Sequence, residues 1–204
     1  MTPHDTQASE RTEARGQLLR ALYASRWEWL SEAVMRAKLK AAGYAPETRS
    51  DLGRDLHYLA DSGLAEARTI GRGQLQGRIT AAGVDIAECS VPPVPGVSCP
   101  SPDGDAAHLA REARWLIVQV SEINMPYSTK ESVLLSAING DAHELSEAAL
   151  RRELRYLEAV GLLTIDDESP VWTARLTPTG SNVALYVTGV DVPPGVDRVD
   201  KYWG

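Results

Sequence analysis

Phenylalanine is absent from this chain of 204 residues, so Leu, Ile, Val, Trp and Tyr must fill any core. No run of about 18 apolar residues occurs, which excludes a membrane-spanning helix. Residues 1–30 are rich in Glu, Arg and Thr and lack the apolar stretch of a secretory leader. A cytoplasmic location with no membrane partner is the resulting expectation. Cysteine is scarce too: Cys89 and Cys99 flank a Pro-rich segment without the CxxC or His spacing of a zinc site. They read as incidental reduced thiols, with a disulfide or metal role the lesser alternative. Also missing are a Gly-rich phosphate loop, an HExxH motif and a Gly-x-Ser-x-Gly elbow, and the histidines His4, His57, His108 and His143 are scattered. No catalytic residue, metal site or cofactor is therefore expected, and the chain reads as a non-enzyme.

What is present fits an ordinary globular protein: 43% of residues are hydrophobic and 24% charged, enough apolar material for packed cores. The length suits two domains of about 100 residues each. The net charge of −7 opposes nucleic-acid binding unless basic residues cluster. Residues 1–100 hold 12 basic and 12 acidic side chains, whereas residues 101–204 hold 9 and 16, so the excess acid lies in the second half.

The chain repeats itself at an offset near 98 residues. Arg54-Asp55-Leu56-His57-Tyr58-Leu59 with Gly63-Leu64 returns as Arg152-Glu153-Leu154-Arg155-Tyr156-Leu157 with Gly161-Leu162. Arg78-Ile79-Thr80-Ala81-Ala82-Gly83 returns as Arg175-Leu176-Thr177-Pro178-Thr179-Gly180, and Pro95-Gly96-Val97 as Pro194-Gly195-Val196. Three motifs in the same order indicate duplication. The domains are read as 1–89 and 105–204, joined by a Pro/Ser-rich linker, 90–104, extended and solvated rather than packed.

Helical periodicity marks first helices over Gln7–Ser25 and Ala106–Ser121. Second helices start at Ser31 and at Ser128-Thr129, and end at Gly43 and Asn139-Gly140. Third helices run from about Pro46 to Ser62 and from about Leu145 to Val160, stopped by Gly63 and Gly161. Their buried stripes are Leu52, Leu56, Leu59 and Leu150, Leu154, Leu157. Two short β-prone runs around a polar loop follow each time, Leu64–Ile70 with Arg78–Thr80 and Leu162–Ile165 with Val171–Thr177. Thr80 and Thr177 then cap a short fourth helix. The expected class is mainly α with short β-hairpins, in the order of tandem winged-helix domains, a helix-turn-helix variant whose third helix commonly enters the major groove.

At about 100° per residue, Ser50, Arg54, His57 and Asp61 face outward on the first copy's third helix. The second copy presents Arg152 and Arg155, flanked by Arg151, with Glu153 turned toward the edge. Arginine pairs bidentately with guanine or phosphate, which makes this the better DNA-reading helix. The hairpin loops carry the opposite bias. Arg68, Arg72 and Arg78 lie among glycines with no acid between Ala67 and Thr80, whereas Asp166-Asp167-Glu168 would repel phosphate. The competing reading is that all these arginines are ordinary solvated charges. Trp27 and Trp29 flank the turn after the first helix, and one of them is expected to close the core. Leu185-Tyr186-Val187 and Tyr202-Trp203 are apolar segments that would dock on the domain or join a dimer contact.

The run Arg78-Ile79-Thr80-Ala81-Ala82-Gly83-Val84-Asp85-Ile86-Ala87-Glu88, with Val94-Pro95-Gly96-Val97 behind it, resembles the end of small winged-helix proteins encoded by Mu-like phages and prophages. The resemblance covers most of the first copy and, more loosely, the second. It implies a phage-type winged-helix protein grouped with transcriptional regulators. The chain departs from that pattern in being duplicated and in its acidic second loop. In layout and charge alone it is also similar to the acidic tandem winged-helix proteins that bind kleisins of SMC-type complexes and form dimers. Two expectations follow: binding of double-stranded DNA in a regulatory or DNA-handling role, or a protein-interaction or homodimerisation module whose acidic second half meets a protein partner.

Overall fold

The computed structural model describes residues 3–44, 49–71, 73–99, 104–140 and 144–198. The chain forms two compact units, residues 1–102 and 103–204. Both are mainly helical, and each contains one small antiparallel sheet of three strands.

In the first unit, helix α1 (Pro3–Tyr23), strand β1 (Leu30–Ser31), helices α2 (Glu32–Ala41) and α3 (Arg49–Asp61), strands β2 (Ala65–Ile70) and β3 (Gln74–Ile79) and helix α4 (Ala81–Ala87) follow in order. The sheet order is β1-β3-β2. The second unit repeats this with α5 (Gly104–Ile123), β4 (Thr129–Lys130), α6 (Glu131–Asn139), α7 (Glu147–Ala159), β5 (Leu163–Asp166), β6 (Thr173–Leu176) and α8 (Pro178–Ala184), in sheet order β4-β6-β5. The two-residue strands β1 and β4 are too short to leave a periodic signal. Ser128-Thr129 leads into β4 instead of capping a helix, and α6 starts behind Lys130 without a side-chain cap.

Each core lies between the helices and one face of the sheet. Leu18, Leu19 and Leu22 of α1 meet Met35 and Leu39 of α2, Leu52, Leu56 and Leu59 of α3, and Leu75 and Ile79 of β3, all buried. Burying each such side chain stabilises by roughly 1.5–3 kcal/mol. Neither Trp27 nor Trp29 closes this core, because both are only half-buried and Leu30 takes the inward position.

The Thr-x-x-Gly motif has a packing reason. After α3, Gly63 at φ 74° reverses the chain, and the Leu64 N–H reaches back to the Leu59 carbonyl at 2.8 Å. Thr80 then donates from Oγ1 to the Gly63 carbonyl at 2.7 Å and accepts from Gly83 N–H at 3.1 Å. A Cβ on Gly83 would collide with the Leu64 carbonyl oxygen. Thr177, Gly161, Leu162 and Gly180 repeat every part of this arrangement.

Residues 90–99 do not form the solvated linker expected of their composition. They fold back onto the first unit: Val97 is buried, Ser98 N–H donates to the Thr12 carbonyl at 3.2 Å, and Gly16 of α1 has no side chain where Ser98 passes. Proline and serine exclude regular structure here, but they leave the backbone free to bond to a neighbouring helix. The cysteines at the ends of this tail are joined as a disulfide, Cys89–Cys99, with Cα atoms 6.2 Å apart, so the reading of incidental thiols is corrected.

Below the tail lies a polar clasp that both units share. Arg15 donates to Asp55 at 3.0 Å and to the Gly96 carbonyl at 3.2 Å, lies 3.7 Å above the Tyr58 ring, and Tyr58 donates to the Pro95 carbonyl at 2.6 Å. In the second unit Arg114 donates to Glu153 at 2.8 Å and to the Gly195 carbonyl at 2.9 Å, above the Tyr156 ring at 3.9 Å. Tyr156 there accepts from Gly195 N–H at 3.2 Å. The Pro-Gly-Val repeat is therefore the part of the tail that these side chains grip.

Candidate nucleic-acid interface

The sheet presents two faces because alternate residues of a strand point to opposite sides. In the first unit Leu75, Gly77 and Ile79 point inward, and a Cβ on Gly77 would press on Leu56 of α3 and Met35 of α2. The residues between them form the outer face. Trp29 precedes β1 there, Arg68 of β2 lies over its ring at 3.9 Å, and Arg78 of β3 approaches the same ring at 4.8 Å. Arg68 donates to Gln76 Oε1 at 2.9 Å, and Arg78 pairs with Glu66 at 2.7 Å. The indole holds two guanidiniums against the sheet, the geometry of a cation–π contact. Arg72 lies outside the described residues.

The other two residues expected in this unit sit elsewhere. Arg54 and His57 are exposed on α3, on the helical side of the sheet, and Arg54 pairs with Asp51 one turn away at 3.0 Å. The structure thus brings Arg68 and Arg78 together but separates them from Arg54 and His57.

The second unit treats its arginines differently. Arg151 makes a two-point contact with Glu131, 2.8 Å from each carboxylate oxygen, and also reaches Glu147 at 2.7 Å and the Pro170 carbonyl at 3.0 Å. Arg155 bonds to Glu158 at 2.8 Å and to Asp167 of the hairpin loop. Trp172 lies between helix and hairpin with both guanidiniums near its ring, at 4.9 and 4.8 Å. Arg152 is half-buried. Glu153, expected at the edge, is buried and bound to Arg114.

The electrostatics follow from these contacts. The Arg151 hydrogen bond holds the Glu131 carboxyl below its ordinary range against the opposing effect of burial. Burial pulls the Arg155 guanidinium down, but its bonds and proximity to Glu158 and Asp167 outweigh this and hold it above its ordinary value. These carboxylates occupy the donors that a guanine or a phosphate would need.

Register explains the contrast. Gly53 of α3 faces Leu75, and the corresponding residues of the second unit are Arg151 and Trp172. His57 corresponds to Arg155. The second unit thus carries two cations at the helix–hairpin contact that the first does not, and its own acidic loop neutralises one of them. Among the described residues no cluster of His, Cys, Asp and Glu is arranged to hold a metal ion, and no helix is long and apolar enough to cross a membrane. Compared with protein-family models, curated proteins and solved structures, the chain matches none.

Proposed function

We propose that the chain is a tandem pair of winged-helix units, a non-enzymatic phage-type protein that contacts double-stranded DNA through its first unit in a regulatory or DNA-handling role. The order helix, strand, helix, helix, hairpin, with the first short strand beside the last, supports the winged-helix reading. The asymmetry of charge pairing carries the assignment to the first unit. Arg68 is bonded to a neutral Gln76 and stacked on Trp29, whereas Arg151 and Arg155 are bonded to carboxylates. A guanidinium held over an indole retains N–H groups for phosphate oxygens.

Fluorescence anisotropy of the full chain on duplex DNA tests this reading. At about 50 mM salt binding is expected, and it should fall steeply as salt rises. Arg68→Ala should weaken it and lower the salt slope by about 1, Arg78→Ala should cost less because its guanidinium is paired with Glu66, and Arg155→Ala should leave it within about twofold. Absence of binding at low salt, or equal losses in the two units, overturns it.

A second reading rests on the acidic half. Asp166, Asp167 and Glu168 lie exposed at one hairpin tip, and Leu185, Tyr186 and Val187 are exposed after α8. These features suit a protein partner or a second copy of the chain, and a dimer or stable complex indifferent to DNA would favour this alternative.

A further inference from the structure

We propose that the Cys89–Cys99 bridge is a redox-responsive catch on the first unit, so that thiol reduction releases the tail 90–99 from α1 and α3 while the second unit's tail stays in place. The second unit supplies the comparison. Cys89 stands two residues after α4 in a left-handed conformation, φ 53°, and its counterpart two residues after α8 is Tyr186, φ 55°. The other partner, Cys99, follows Pro-Gly-Val by two residues, as Arg198 does in the second unit. Arg198 lies over the Tyr186 ring at 4.5 Å, so the positions joined covalently in one unit are joined by a cation–π contact in the other. Even the carbonyl beneath is equivalent: Cys99 Sγ lies 3.6 Å from the Ile86 oxygen, and Arg198 donates to the Val183 oxygen at 3.3 Å.

The two tails differ in what else holds them. In the second unit the clasp is dry, with the Arg114 and Glu153 side chains 0% and 3% exposed. In the first, Arg15 and Asp55 are 13% and 14% exposed, so water competes for their bonds. The first tail therefore depends more on its covalent closure. Closing a loop of about ten residues restricts the detached tail enough to favour docking by up to roughly 100-fold.

Reduction is chemically accessible because Cys89 is exposed and Cys99 half-buried. A dithiol reductant attacks Cys89 Sγ through its thiolate, the sulfur–sulfur bond breaks, and Cys99 leaves as a thiolate that takes up a proton. The second thiol of the reagent resolves the mixed disulfide, so two electrons reach the protein and the dithiol becomes a cyclic disulfide.

The test is hydrogen exchange by mass spectrometry on the native full chain with and without dithiothreitol, with thiols counted by alkylation. Two further alkylations are expected on reduction. Exchange at the Val97 and Ser98 amides should accelerate by about 10- to 100-fold, while Val196 in the second tail should change by less than about twofold. A Cys89→Ser/Cys99→Ser variant should show the fast exchange without reductant and no response to it. Free thiols in protein purified without reductant, a bridge that resists native reduction, unchanged exchange on full reduction, or equal acceleration in both tails would each overturn the proposal. None of these readings depends on DNA binding.

Discussion

Arg114 donates from Nε to Glu153 at 2.8 Å, and both side chains are buried where α5 crosses α7. Removing one charge of such a pair leaves the other without compensation. Glu153→Gln is expected to destabilise the second unit by about 3 kcal/mol. Asp55→Asn, which disrupts the more hydrated counterpart, is expected to cost about 1 kcal/mol. Urea unfolding of full-length variants checks the difference, and equal costs would show that hydration of the first clasp has no energetic weight.

Gly83 and Gly180 each lie against a backbone carbonyl, Leu64 and Leu162, with no room for a Cβ. Gly83→Ala and Gly180→Ala should each destabilise by about 2–3 kcal/mol, because a carbonyl cannot rotate away as a flexible side chain can. Gly140→Ala, at a helical φ of −67° with only ordinary contacts, should change stability by less than about 0.5 kcal/mol. Thermal denaturation distinguishes these outcomes.

Glu131 links α6 to Arg151 and to the Trp172 backbone N–H at 3.2 Å, and its carboxyl is held below the ordinary 4.5. A carboxyl lowered in the folded state stabilises the fold above its ordinary value, and that contribution is lost as pH falls through the lowered one. The melting temperature should therefore drop as pH falls below the ordinary carboxyl range. Glu131→Gln should start lower at neutral pH and show a shallower acid limb; parallel curves would remove Glu131 as the cause.

Neutralising the second hairpin loop should strengthen DNA binding by removing charge that repels phosphate. Asp166→Asn, Asp167→Asn and Glu168→Gln together remove three negative charges and free Arg155 from one of its partners. An increase of about threefold to tenfold in affinity at low salt is expected, vanishing at high salt as screening grows. Anisotropy titrations at two salt concentrations measure it.

Local chemistry made much of this fold legible in the sequence. Ser31, Thr80 and Thr177 cap helices and Gly63 and Gly161 end them because these residues satisfy backbone groups within a few positions. Non-local pairings were not legible. Arg151 finds Glu131 twenty residues away across a helix–helix contact, and nothing in either neighbourhood announces it. Arg15 and Arg114 did leave a signal. Arg15 stands three, four and seven residues before the buried Leu18, Leu19 and Leu22, and Arg114 likewise before Ile117, Val118 and Ser121. An arginine in phase with a buried stripe needs a buried acid, and the recurring Asp55 and Glu153 are the matching halves. The tail misled because its composition reports on regular structure, whereas its position is set by Val97, the clasp and the bridge.

Thr80 ties both ends of the first hairpin to one point, bonding Gly63 through its hydroxyl and Leu64 through its backbone N–H, and Thr177 does the same in the second unit. Each hairpin is thus a ring fastened at its neck, the fastened residues 17 positions apart in one unit and 16 in the other, and only its outer side is unconstrained, because Leu75, Gly77 and Ile79 hold the inner side of the first against the core. Outward-facing residues of the ring can be exchanged or reversed in charge without moving the helices that carry it. A hairpin transplanted between Gly63 and Thr80 with its inward-facing residues retained should therefore change what the protein touches and leave how it folds intact.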